Sequence, residues 1–152
     1  MTQLAATGTE TAGMARAEAY LRAGEQWLLA DDPAEAVAGF QHAMADGGPV
    51  FVDPRVPMAR AFFQLGRHSE AQDIISQLKA EGPADPRTCD LVAELLVERS
   101  ELAAALEWTT AGVELCLAGD DAELRLLLRL RYRIRNDLGL PEDDYDAMLD
   151  DA

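Results

Sequence analysis

With 152 residues and 49% hydrophobic content, the chain is long enough to bury one sizeable core. Its 28 acidic residues against 13 basic ones give a net charge of −15. Such a charge repels phosphate backbones and acidic bilayers at long range, which excludes nucleic acid and membrane as expected partners. An aromatic content of 6% and abundant Ala and Leu point to closely packed helices, and so to an all-α chain. Lys79 is the only lysine beside twelve arginines, a bias expected of a GC-rich bacterial genome. Cys89 and Cys116 stand 27 residues apart, match no metal-ligand spacing, and read as buried reduced thiols. Neither a signal-peptide pattern nor an apolar run of membrane-span length occurs, so a cytoplasmic location is expected.

Residues 1–13 are rich in Thr, Ala and Gly without periodicity and read as a flexible N-terminal segment. Helical patterning starts near Met14, and Tyr20, Trp27 and Leu28 recur at helical spacing to about Leu29, with Gly24 as a packing glycine. Asp32-Pro33-Ala34-Glu35 is a capping signal for a second helix over about 33–45. Gly47-Gly48-Pro49 ends it, and Asp53-Pro54 repeats the cap-plus-proline device for a third helix to about Leu65, stopped by Gly66. A fourth helix over about 68–80 is broken by Gly82-Pro83, and Asp85-Pro86 opens a fifth over about 86–98. Ser100 is read as the cap of a sixth helix, about 101–117. Asp120 and Glu123 form a capping box for a seventh, terminated by Gly139 and Pro141. The expected organisation is a repeat domain over 14–139 and an acidic tail or short helix over 140–152.

A three-residue signature recurs along this series of helices: Ala36/Phe40/Ala43, Ala71/Ile75/Leu78 and Ala104/Trp108/Ala111. The leading alanines lie 35 and 33 residues apart, the period at which helical hairpins stack into solenoids. With Tyr20, Gly24 and Trp27, then Met58, Ala59 and Phe62, then Leu91, Val92 and Leu95 on the first helix of each pair, the pattern resembles the tetratricopeptide repeat over about residues 17–118. The small residues permit close helix crossing, so Val92 in the small position should push the third hairpin apart or rotate it. Leu127, Leu130, Ile134 and Leu138 give the seventh helix an apolar stripe suited to covering the last repeat. The resemblance implies a right-handed superhelical stack of three antiparallel hairpins, an α-solenoid, plus a C-terminal capping helix and a short acidic helix.

The resemblance also implies an interaction module or adaptor that receives a protein segment, peptide or helix in a concave groove lined by the first helices. Carried onto this chain, the lining is Leu21, Glu25, Leu28, Val56, Arg60, Phe63, Cys89, Ala93 and Leu96. The lysine and asparagine pair with which some family members grip a C-terminal carboxylate is absent from Leu21/Glu25, Val56/Arg60 and Cys89/Ala93. An apolar or amphipathic segment is therefore the expected ligand, with Glu25 and Arg60 fixing its register. The alternative is a self-associating protein, a homodimer whose groove is filled by a second copy.

A secondary site is the basic rail Arg125, Arg129 and Arg133, while Arg131 and Arg135 fall on the opposite flank of the apolar stripe. The acidic tail beyond it carries Glu142, Asp143, Asp144, Asp146, Asp150 and Asp151, and pairing of tail with rail is expected until an acidic partner displaces it. Tyr145, Met148 and Leu149 predict a short amphipathic helix docked on the body. The tail lacks the calcium-loop pattern. His42 and His68 have no metal or catalytic spacing, and no nucleotide-binding or nucleophile motif occurs. Neither enzyme activity, metal nor cofactor is expected.

Overall fold

The computed structural model describes residues 16–83, 85–119 and 122–150. The expected flexible N-terminal segment, the helix start at Met14, the Asp120 cap and Asp151 lie outside the described residues. Those residues form eight helices and no strand. They are α1 (Arg16–Leu29), α2 (Pro33–Asp46), α3 (Arg55–Gln64), α4 (His68–Glu81), α5 (Pro86–Glu98), α6 (Leu102–Ala118), α7 (Leu124–Asp137) and α8 (Asp144–Ala147). The chain divides into two compact units, Met1–Ala80 and Glu81–Ala152.

In the first unit, α1 and α2 cross closely because both contribute glycine where they meet. A Cβ on Gly39 would lie 3.0 Å from the Gly24 Cα, and one on Gly24 would lie 2.5 Å from the Phe40 ring. The missing side chains let the backbones approach and seat Phe40, which is fully buried with Ala36 and Ala43. Burying that ring contributes about 1.5–3 kcal/mol. Asp32 starts α2 as expected, accepting the Glu35 N–H at 3.2 Å, with Pro33 at the first helical position. Glu18 of α1 accepts the Phe51 N–H at 2.7 Å and so holds the loop between α2 and α3. Ala71, Ile75 and Leu78 of α4 are likewise buried. The proposed cap at Asp53 needs correction. Pro54 is the N-cap, and Asp53 instead accepts the Arg55 N–H and pairs with the Arg55 guanidinium at 2.8 Å.

In the second unit α5 packs on α6, α6 on α7, and α7 carries α8. Asp85 caps α5 as expected, accepting from the Thr88 N–H at 2.8 Å and the Thr88 hydroxyl at 3.0 Å. The third alanine signature does not keep its role. Ala104 and Ala111 are only partly covered, and the buried face of α6 is Ala105, Trp108, Thr109, Gly112, Val113 and Cys116. A Cβ on Gly112 would lie 2.9 Å from the Cys89 Cβ and 2.9 Å from Leu127 Cδ1, so the close crossing is here. Val92, fully buried, fills the place a small residue holds in the first hairpin, and α6 turns by one residue, about 100°, to present a glycine instead.

The turns inside the hairpins repeat more faithfully than the side chains. Asp31, Gly66 and Ser100 all have left-handed φ, at 61°, 78° and 61°. The next residue in each case donates its N–H five residues back: Asp32 to the Trp27 carbonyl at 2.9 Å, Arg67 to Phe62 at 2.8 Å, and Glu101 to Leu96 at 2.9 Å. This is the Schellman closure, which satisfies carbonyls left open at a helix end. Ser100 therefore terminates α5 and does not cap α6. The N-cap of α6 is Glu101, without a side-chain bond.

Candidate partner-binding surfaces

The nine expected groove residues fall at i, i+4 and i+7 on three helices: Leu21, Glu25 and Leu28 on α1, Val56, Arg60 and Phe63 on α3, Cys89, Ala93 and Leu96 on α5. The first six belong to one unit and the last three to the other. Leu21, Val56, Phe63, Cys89, Ala93 and Leu96 are buried, so these six are core residues and not an open lining. What remains accessible along these rows is Glu25, Leu28 and Arg60, each partly covered. Burial raises the pKa of the Glu25 carboxyl, Glu18 adds to the rise, and Arg22 opposes it.

The first hairpin also carries a shallow cleft of about 110 Å³ between α1 and α2, lined by Tyr20, Ala23, Trp27, Glu35, Ala38, Gly39 and His42. Tyr20 and His42 meet with ring centroids 5.2 Å apart, and Trp27 is 37% exposed. The sequence contains a signal for it: two aromatics at i and i+7 opposite the small pair Ala38-Gly39. His68 stands at the first turn of α4 with its ring 5.6 Å from that of Phe63.

In the second unit, both cysteines are free and buried, and burial above all, with Asp85 and Cys116 nearby, pushes the Cys89 thiol up to about 12. Asp90 is a buried carboxylate whose Oδ1 has no hydrogen-bond partner. Burial first, then the charge and hydrogen bond of Glu94 and the charge of Glu123, raise its pKa to about 7 against the opposing Arg87.

The acidic tail engages Arg131 and Arg135, which lie outside the expected rail of Arg125, Arg129 and Arg133. Arg131, 5% exposed, donates to Asp143 Oδ1 at 3.0 Å and Oδ2 at 2.6 Å, and its Nε donates to the Thr110 hydroxyl at 3.0 Å. Its guanidinium carbon lies 4.9 Å from the centre of the Tyr145 ring. Arg135 donates to Asp146 Oδ2 at 3.2 Å and to the Pro141 carbonyl at 2.7 Å. Asp143 and Asp146 close a reciprocal capping box on α8, each accepting the other's backbone N–H. The Arg131 hydrogen bonds hold the Asp143 carboxyl well below the usual carboxylate range, against its partial burial. The clasp ties α6, α7 and α8 together. The Asp143-x-x-Asp146 spacing was its legible signal, as was the i, i+4 pairing of Arg131 with Arg135. Arg125, Arg129 and Arg133 are exposed on the other side of α7.

Among the described residues, no group of three or more His, Cys, Asp or Glu side chains is arranged to hold a metal ion, and no helix is long and apolar enough to cross a membrane. The antiparallel hairpins, their periodic turns and the glycine crossings define a helical-repeat protein. Residues 28–95, from the end of α1 to most of α5, match the family model of the tetratricopeptide repeat. No curated protein and no solved structure gives a significant match. Tetratricopeptide repeats generally mediate protein–protein interactions and are typically non-catalytic.

Proposed function

We propose that the chain is an adaptor that holds an apolar or amphipathic segment of another protein against its first unit, with Leu28 giving apolar contact and Glu25 and Arg60 setting register. The observation that carries this reading is the tetratricopeptide match over residues 28–95, whose family works by such contacts. The desolvation of Glu25 supports the choice of α1, because a carboxylate already stripped of part of its water costs less to cover. The expected effect of Leu28→Asp or Arg60→Glu is loss of a bound protein from native lysate that Arg129→Glu retains, read by quantitative mass spectrometry. An unchanged bound set in both variants sinks the proposal.

A second copy is the competing occupant. The exposed Leu29 and Phe51, at 80% and 68%, favour it, since large apolar side chains so open to water are candidates for self-contact. Sedimentation velocity over a wide concentration range decides between them. A dimer that Leu28→Asp dissociates assigns the surface to a second copy, and a dilution-independent monomer removes that reading.

A further inference from the structure

One face of α7 is strongly basic in a chain of net charge −15. Around the helix, Leu127, Leu128, Leu130, Arg131 and Ile134 occupy the buried side. The exposed arc, about 140° wide, carries Arg125, Arg129 and Arg133 in one row, with Tyr132 at one edge, Leu126 beyond the row on the other side, and Asn136 and Asp137 at its C-terminal end. Leu126 is 49% and Tyr132 40% exposed. Asp143 and Asp146 of the tail are committed to Arg131 and Arg135. None of Arg125, Arg129 and Arg133 forms an ion pair with a described residue.

We propose that this face of α7 docks an acidic amphipathic helix from a protein partner, its carboxylates on the arginine row and its apolar residues over Leu126 and Tyr132. The three arginines span about 12 Å at about 6 Å intervals, the rise of a helix over four residues. A partner helix laid alongside with glutamates at i, i+4 and i+8 repeats that interval, so one carboxylate meets each guanidinium. Exposed ion pairs contribute little each, so the row supplies orientation and encounter rate while the flanking Leu126 and Tyr132 supply burial. The overall negative charge does not forbid the approach. At physiological salt the screening length is about 8 Å, so the local arginines dominate what the helix meets at contact. The same negative charge opposes an extended polyanion such as RNA, whose phosphates run far past the row.

The test uses the full chain and a fluorescein-labelled peptide helix with glutamates at i, i+4 and i+8 and leucines beside them, followed by fluorescence anisotropy. The wild type binds it saturably and binds a matched lysine peptide far more weakly. Binding falls about tenfold or more in the Arg125→Glu/Arg129→Glu/Arg133→Glu variant and in its Gln counterpart, and weakens as NaCl is raised. Circular dichroism of both variants matches the wild type, since all three side chains are exposed, and Arg16→Glu, an exposed arginine of the first unit outside both proposed surfaces, leaves binding unchanged. That last arm separates the arginine row from a general loss of positive charge. Absence of saturable binding, equal binding by the substituted chains, tighter binding of a labelled RNA oligonucleotide to the same row, or self-association that the triple variant abolishes would each overturn the proposal.

Discussion

In the hairpin α1–α2 both helices bring glycine to the crossing, Gly24 against Phe40 and Gly39 against Gly24; in α5–α6 only the second helix does, Gly112 meeting Cys89 of α5 and Leu127 of α7. The alanine signature is buried completely in the first case and only at Trp108 in the second. A close crossing requires absent volume at the contact, and either helix can supply it. Once Val92 takes the small position on α5, the partner helix must rotate until its own smallest residue faces inward. Sequence periodicity therefore reports which helices pair, and the placement of single small residues reports which faces meet.

The comparison can be broken first at its aromatic. Phe40→Ala is expected to cost about 3–5 kcal/mol in urea unfolding, because a fully buried ring leaves a cavity that two glycine-bearing helices cannot readily collapse. A loss under about 1 kcal/mol would mean that the Gly24–Phe40 contact does not organise the hairpin. The rotation of α6 is tested by a matched pair. Ala36→Leu overpacks a fully buried site and should cost about 1–3 kcal/mol, whereas Ala104→Leu, at the equivalent place in the signature, should stay within about 0.5 kcal/mol. Equal costs would restore the unrotated register.

The hairpins differ also in their buried acids. Glu25 keeps partial access to water, while Asp90 is buried with an unpartnered oxygen. The Asp90 pKa is raised from 3.8 to about 7, so the native state binds more protons than the unfolded state between those pH values, and this group's contribution to stability falls as pH rises across that window. Asp90→Asn should remove that slope and leave the protein about 1 kcal/mol more stable at pH 8, measured by urea midpoints from pH 4 to 8. A parallel slope in the variant would assign the pH dependence to another group. The smallest effect is expected at the turns. Ser100→Gly should stabilise by about 0.5–1 kcal/mol, since serine at a φ of 61° bears a steric cost that glycine does not, while Gly66→Ser should lose a similar amount. Thermal denaturation resolves both.

Helix pairing was readable from Asp32-Pro33, Asp85-Pro86, Gly66, Gly82 and the alanine period, because these signals are local and each has a backbone cause. The face that α6 presents was not readable in detail, although Val92 marked the hairpin as the one to deviate. Choosing between Ala111 and Gly112 depends on what α5 and α7 bring to the crossing, and sequence spacing alone does not rank two adjacent small residues. The groove residues illustrate the same limit. A row at i, i+4 and i+7 identifies one side of a helix, but Leu21 and Leu96 proved to be core residues while Leu28 kept its surface. The tail was expected to pair with the arginine row nearest at hand. It took Arg131 and Arg135 instead, where the Thr110 hydroxyl and the Tyr145 ring complete the coordination of Arg131 that Arg125, Arg129 and Arg133 do not receive.

The left-handed turns at Asp31, Gly66 and Ser100 have a kinetic consequence. Each joins two helices through only a few residues, so closing a hairpin sacrifices little chain entropy, and the first contacts made are between neighbours in sequence. Chains with such low contact order fold in microseconds to milliseconds. A newly made hairpin can thus form as soon as its second helix is available, without waiting for distant parts of the chain.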